Sequence, residues 1–215
     1  MCGIVGFINY KQDISKYKNI IINMNNSLSN RGPDEEGYYI KNHVALGHKR
    51  LIVIDPDGGK QPMLERAKKE PTLNCPDGGK KRTDPKLPQR PGTNLPFCIV
   101  YNGQIYNTKE LRQTLEENGF TFEGYSDTEV LLKSYIYYGK EVVHHLNGIF
   151  AFAIWDNSNE ELFMARDHFG VKPFYYSIID NTLVFASEVK ALFEYPGITA
   201  KIDCEGISEL FGLRT

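Results

Sequence analysis

Along the chain, short apolar runs separated by polar turn residues outnumber segments with a helical period. The run Ile4–Ile8, with Gly3 and Gly6, predicts a buried strand almost at the N-terminus. Ile20, Ile21, Met24 and Leu28 recur at helical spacing and predict a helix over 15–28, stopped by Asn30-Arg31-Gly32-Pro33-Asp34. Gly37–Ile40, Val44–His48 and Leu51–Ile54 are strand candidates, as is Phe97–Tyr101, which runs into Asn102-Gly103. Asn107 predicts the cap of a helix over 108–118, and Ser126-Asp127-Thr128-Glu129 reads as a capping box opening the next. Phe150–Trp155, Leu162–Arg166, Phe174–Ile179 and Leu183–Ala186 complete the strands, with Asp180-Asn181 as the last tight turn. Asp203 caps a final helix ending at Gly212. Strands dominate and no βαβ alternation occurs, so the pattern predicts an α+β sandwich of mainly antiparallel sheets.

One segment breaks this pattern. Residues 63–96 hold six of the eleven prolines and no aromatic residue, with eight Lys/Arg against four Asp/Glu. That composition offers little apolar surface to bury, and most of the segment reads as an exposed, mobile excursion within one domain spanning 1–215. The whole chain is nearly neutral, with 25 basic and 27 acidic residues, which gives no general affinity for nucleic acid. No apolar run approaches the ~20 residues of a membrane span, and the N-terminus lacks the charged and apolar regions of a signal peptide. Cys2, Cys75, Cys98 and Cys204 stand far apart, a spacing that argues against a zinc knuckle or a disulfide scaffold. A cytoplasmic globular domain is the resulting expectation.

The chemistry points first to Cys2. Removal of Met1 would place a thiol and a free α-amine on one residue. An α-amine has a pKa of about 7.7–8.0 against about 10.4 for lysine, so it can accept a proton near neutrality. A terminal cysteine therefore carries a general base beside its own nucleophile. Taken alone, Cys2 is more often an ordinary small buried residue, and the segments downstream change that balance.

Five further segments follow in order: Arg31-Gly32-Pro33-Asp34, Gly47-His48-Lys49-Arg50-Leu51, Tyr101-Asn102-Gly103-Gln104-Ile105-Tyr106-Asn107, Ser126-Asp127-Thr128-Glu129 and Gly148-Ile149-Phe150-Ala151-Phe152-Ala153. With Cys2-Gly3-Ile4-Val5-Gly6 at the front and Ala165–Pro173 and Ala186–Leu192 at the tail, the set resembles the glutaminase domain of asparagine synthetases. These are class II glutamine amidotransferases of the N-terminal-nucleophile hydrolase type. The resemblance implies a four-layer αββα sandwich and hydrolysis of the glutamine amide through a Cys2 thioester.

It also implies a site. Asn102 and Gly103 would receive the oxyanion, through a side-chain and a backbone N–H. Arg50 would hold the α-carboxylate of L-glutamine and Asp127 its ammonium, with Leu51, Ile52, Val53 and Ile54 lining the substrate. Arg31, Gly32, Pro33 and Asp34 would form a loop closing over it. Gln104 departs from the glutamate usual in the family, which predicts weaker glutamine binding without loss of activity. His48 adjoins the site, with a structural role expected.

By the same resemblance the glutaminase half-reaction needs no cofactor. ATP and Mg2+ belong to a C-terminal synthetase domain absent from this chain, and a homodimer is left open. Two other readings share the front motifs: a different class II amidotransferase, such as a β-lactam-synthetase-like one, or a non-catalytic domain if Met1 is retained. From the composition of 63–96, limited trypsinolysis is expected to cut first at Lys68, Lys69, Lys80, Lys81 or Arg82, as read by mass spectrometry of the earliest fragments.

Overall fold

The computed structural model describes residues 1–65, 97–201 and 203–212. Most of the predicted excursion and its trypsin sites lie outside the described residues. Among the described residues nine strands form two sheets, and every pairing there is antiparallel. One contains β1 (Gly3–Asn9), β2 (Glu35–Lys41), β3 (Val44–Arg50), β8 (Tyr175–Ile179) and β9 (Thr182–Ala186), in the order β2-β3-β1-β9-β8. The other contains β4 (Met63–Glu65), β5 (Phe97–Ile105), β6 (Gly148–Asp156) and β7 (Glu161–Arg166), in that order.

Alternation of side chains along each strand divides the apolar residues among three cores. Val5 and Phe7 face outward onto α1 (Lys18–Asn26), while Ile4 and Ile8 face the second sheet. On β5, Phe97, Ile99, Tyr101 and Ile105 face α2 (Thr108–Glu117) and α3 (Asp127–Tyr138), while Cys98 and Val100 face the first sheet. Helix, sheet, sheet and helix thus stack as four layers, as expected from the sequence. A short α4 (Val189–Leu192) adds Ala191 and Leu192 to the α1 layer, and α5 (Cys204–Gly212) ends the described chain.

Local chemistry departs from expectation in four places. Leu51–Ile54 is not a strand: it finds no partner backbone, and Val53 is 78% exposed. Met63–Glu65, assigned to the excursion, is a strand paired with the start of β5. Asn107 makes no cap bond at α2; its amide donates to His145 O at 2.9 Å and its side-chain oxygen accepts the Asn147 N–H at 2.9 Å. The capping box at α3 is only half formed. Ser126 Oγ accepts the Glu129 N–H at 3.2 Å, but Glu129 turns its carboxylate to the N–H groups of Glu123 and Gly124, at 2.8 and 3.0 Å. The expected turn at Asp180-Asn181 does form, with φ of 45° and 64° at the two residues, the twist a two-residue hairpin favours. Asp203 likewise caps α5, accepting the Gly206 N–H at 2.6 Å.

Glu129 belongs to a buried ionic cluster that fixes the start of α3. Lys133, 4% exposed, donates to Glu129 and to Thr121 O (2.6 Å), lies 3.5 Å from Glu65 Oε2, and sits 4.7 Å from the Phe122 ring centre. Burial alone would raise the Glu129 pKa, but Lys133 and the two backbone donors outweigh it and hold the carboxyl below its usual range. Replacing Lys133 by methionine strands that charge and should cost about 3–5 kcal/mol in urea unfolding at neutral pH. Because the folded carboxyl has the depressed pKa, the pair stabilises the protein above the unfolded carboxyl pKa of about 4.3 and less as pH falls through the folded value. The deficit of the Lys133→Met variant should accordingly shrink on acidification.

Candidate active site

The alternation that builds the inter-sheet core also assembles the site. Ile4 pairs with His48 and Gly3 with Lys49, so Cys2 lies one step beyond the end of the ladder, in phase with Ile4 on the inner face. Val44 and Leu46 point inward on β3, and His48 and Arg50 continue that phase. On β5 the inward phase of Cys98 and Val100 reaches Asn102. Four polar side chains from three strands therefore converge at one end of the inter-sheet space.

Three bonds hold the backbone behind the nucleophile. Ser187 extends the β1–β9 ladder: its N–H donates to Ile4 O at 2.8 Å and its Oγ accepts the Ile4 N–H at 2.9 Å. Arg31 donates through Nε to Cys2 O at 2.9 Å and through Nη1 to Glu188 Oε1 at 3.1 Å. The rest of the Arg31–Asp34 loop is fastened to the end of β3. Asp34 donates its N–H to Arg50 O at 3.0 Å and accepts the Ile52 N–H at 2.7 Å. Gly32 lies against the Lys49 and Arg50 backbone with no room for a Cβ, and Pro33 follows it. The Arg31–Asp34 loop thus braces the backbone of Cys2 and the end of β3.

The Cys2 thiol lies 3.6 Å from Leu51 O, to which it donates, and its sulfur accepts the Leu51 N–H at 3.4 Å. Burial raises its pKa above the ordinary thiol value, and the Asp127 charge adds to the rise. The Leu51 N–H, the ammonium of Met1 and Arg50 oppose it without prevailing. A thiol held protonated in this way needs a base to react. His48 is not that base. It is fully buried, its Nε2 is 3.1 Å from Tyr101 O, and burial lowers its pKa to about 3, so it is a neutral link between the sheets. Met1 is 59% exposed at the mouth, open to enzymatic removal that would free the Cys2 amine.

Arg50 is only 4% exposed and its fork is already engaged. Nη1 donates to Glu35 Oε2 (2.6 Å) and Pro56 O (2.8 Å); Nη2 donates to Asp55 O (2.6 Å) and Ile54 O (3.4 Å). The guanidinium thus turns the chain after β3 and explains why Leu51–Ile54 leaves the sheet. Asp55 completes the turn at φ 50°, accepting the Gly58 N–H on Oδ1 and the Tyr125 N–H on Oδ2, each at 2.8 Å. Sequence reasoning passed over Asp55; the Asp-x-x-Gly spacing of an Asx turn was its only local sign. Leu51 and Ile52 touch the site through their backbone, whereas Val53 and Ile54 are exposed, at 78% and 40%.

Asp127 opens α3, where the helix dipole favours a carboxylate. Its Oδ2 accepts the Tyr101 hydroxyl at 2.7 Å and the Ile105 N–H at 3.3 Å. Burial nevertheless raises its pKa. Asn102 is 3% exposed, and its Nδ2 is a buried donor with no partner. Gly103 packs so tightly that an added Cβ would lie 2.5 Å from Ile149 O and 2.7 Å from Tyr101 Cε2. Gln104 is exposed opposite Ile149. The tail motifs do structural work: Asp167 accepts the N–H groups of Val171 (2.9 Å), Lys172 (3.0 Å) and Phe150 (3.3 Å), closing a loop against β6.

The four-layer sandwich is a fold shared with solved amidotransferases. The solved glutamine phosphoribosylpyrophosphate amidotransferase from B. subtilis, complexed with ADP and GMP, shares the fold at a TM-score of 0.65 and 22% identity, over 89% of this chain and 43% of that one. In sequence, the chain matches the glutamine amidotransferase domain family over residues 1–74 and 89–215, and it belongs to that family. Asparagine synthetase [glutamine-hydrolyzing] 3 of Bacillus subtilis (strain 168) is 43% identical over 213 residues, which is 99% of this chain and 31% of that protein. Asparagine synthetase [glutamine-hydrolyzing] 1 of the same organism is 38% identical over 89% of this chain and 26% of its own length. The chain thus spans between a quarter and a third of these relatives. No described helix is long and apolar enough to cross a membrane.

Through its bonds to the Gly58 and Tyr125 N–H groups, Asp55 ties the loop after β3 to the segment before α3. Asp55→Ala leaves two backbone donors unpaired and should destabilise the protein by about 2–4 kcal/mol, measured by chemical denaturation.

Proposed function

We propose that this domain hydrolyses the side-chain amide of L-glutamine to glutamate and ammonia, with Cys2 as nucleophile after removal of Met1. The observation that carries this reading is the unpartnered, buried Nδ2 of Asn102 on the inner face that Cys2 shares. A buried donor without a partner costs free energy, and an oxyanion forming in the inter-sheet space would satisfy it.

The freed α-amine takes the thiol proton as sulfur attacks the amide carbon. The carbonyl oxygen becomes an oxyanion facing the Asn102 amide and the Gly103 N–H. Collapse breaks the C–N bond, and the proton held by the amine passes to the departing ammonia. Water then attacks the thioester, the amine again taking a proton, and glutamate leaves with the thiol restored. Arg50 and Asp127 bind the two charges of the substrate. Glu35, whose side chain is 32% exposed, is the group the substrate carboxylate replaces on Arg50.

In the longer, cytoplasmic protein that the asparagine synthetase relatives suggest, the ammonia passes to a synthetase portion. That portion uses ATP and Mg2+ to convert aspartate to asparagine; this chain's own residues supply nucleophile, base and oxyanion donors for the first half. Intact-mass spectrometry showing a chain that begins at Cys2, together with ammonia release from glutamine, tests the reading. Cys2→Ala should abolish that release with the melting temperature preserved. Retained activity in a trimmed Cys2→Ala protein would overturn it.

A further inference from the structure

Tyr101 has the sequence signature of a core aromatic on a strand, and its ring does pack in the β5–helix core. Its hydroxyl nevertheless leaves that core to donate to Asp127 Oδ2 at 2.7 Å. The residue is clamped on every side. Its N–H donates to Gln61 Oε1 at 2.6 Å, and Gln61 Nε2 in turn donates to Thr128 Oγ1 in the first turn of α3, at 3.2 Å. Its carbonyl faces His48 Nε2 at 3.1 Å. The edge of its ring fills the space that a side chain at 103 would need. With these four restraints on a residue 3% exposed, the hydroxyl has little freedom to turn away.

We propose that Tyr101 is a positioning residue that aims the Asp127 carboxylate and keeps it charged, so that glutamine binding depends on a hydroxyl that does not touch the substrate. The inference rests on the reading of Asp127 as the partner of the glutamine ammonium. Tyr101 and the Ile105 N–H both donate to Oδ2, so the orientation of the carboxylate is set from β5.

The groups acting on Asp127 come from each side. Tyr101 and the Ile105 N–H lie on β5, and the Thr128 N–H and its own on α3; the Cys2 thiol ahead of β1 in turn feels the charges of Asp127 and of Arg50 on β3. Burial raises the carboxyl pKa, and the Tyr101 bond is foremost among the effects that restrain the rise. Without the hydroxyl the carboxyl should protonate at higher pH, and the site should lose its grip on an ammonium over the acidic range.

The test uses the 215-residue chain with Met1 removed, as wild type, Tyr101→Phe, Asp127→Asn and the double variant. Tyr101→Phe should raise KM for glutamine at least about tenfold, the usual scale for losing a hydrogen bond to a charged group, with kcat changed less than about twofold. The acidic limb of kcat/KM should move to higher pH. Neither effect should appear with 5-amino-5-oxopentanoate, which is glutamine without its α-amino group. Adding Tyr101→Phe to Asp127→Asn should cost nothing further.

Carboxyl-carbon NMR of the ligand-free protein gives a readout independent of turnover. Asp127 should titrate higher in Tyr101→Phe and lower with 3-fluorotyrosine at 101, a stronger donor that keeps the ring. Unchanged KM and unchanged titration would overturn the proposal, as would an equal fall in kcat on both substrates, the mark of a merely structural residue. Wild type that releases no ammonia from glutamine would instead refute the glutaminase reading, and the carboxyl titration would then decide alone whether Tyr101 governs Asp127.

Discussion

The site depends on the register of β1. This strand is hydrogen-bonded on both sides, Gly3–Ile8 to β3 and Val5–Asn9 to β9. Side chains alternate with a period of two, so a slip of one residue would turn Cys2, with Ile4 and Ile8, from the inter-sheet space to the outer face. Val5 and Phe7 would make the opposite move. Apolar burial on both faces thus opposes any slip, and the bonds from Ser187 and Arg31 hold the last two residues where the ladder ends. Cys2 is thus placed by the packing and register of β1.

Around that strand the structure satisfies its buried charges almost completely, which makes the exceptions informative. Arg50, Asp55, Glu129, Lys133 and Asp167 are buried, yet each is tied to backbone groups or to an opposite charge. Those ties shape the loops that carry Leu51 and Asp127. His48 stays neutral and bridges the sheets. Five buried side-chain atoms among the described residues have no partner, Arg31 Nη2, His48 Nδ1 and Asn102 Nδ2 among them, and of these the Asn102 amide is the donor that the proposed reaction would use. The carboxylate of Asp127 is the converse case, its charge made costly by burial and supported by two donors on one oxygen.

Period and punctuation in the chain were enough to determine the number and order of most elements, the antiparallel sandwich and the ordered motifs that carry Cys2, Arg50, Asn102 and Asp127. The apolar alternation of β1, β5 and β6 and the Asp180-Asn181 turn are local features whose physics acts within a few residues. Leu51–Ile54 reads as a strand because its side chains suit one. Only the fold could show that no neighbouring backbone remains to pair with it, and that Arg50 curls the chain away. Met63–Glu65 reads as loop because its β4 pairing is with residues more than thirty positions on. Tertiary structure alone turned the Arg31–Asp34 loop into a brace, filled the Arg50 fork with Glu35 and loop carbonyls, and aimed Tyr101 at Asp127. Each of these is a bond between distant segments, whose partners become neighbours only when both sheets have closed on one core.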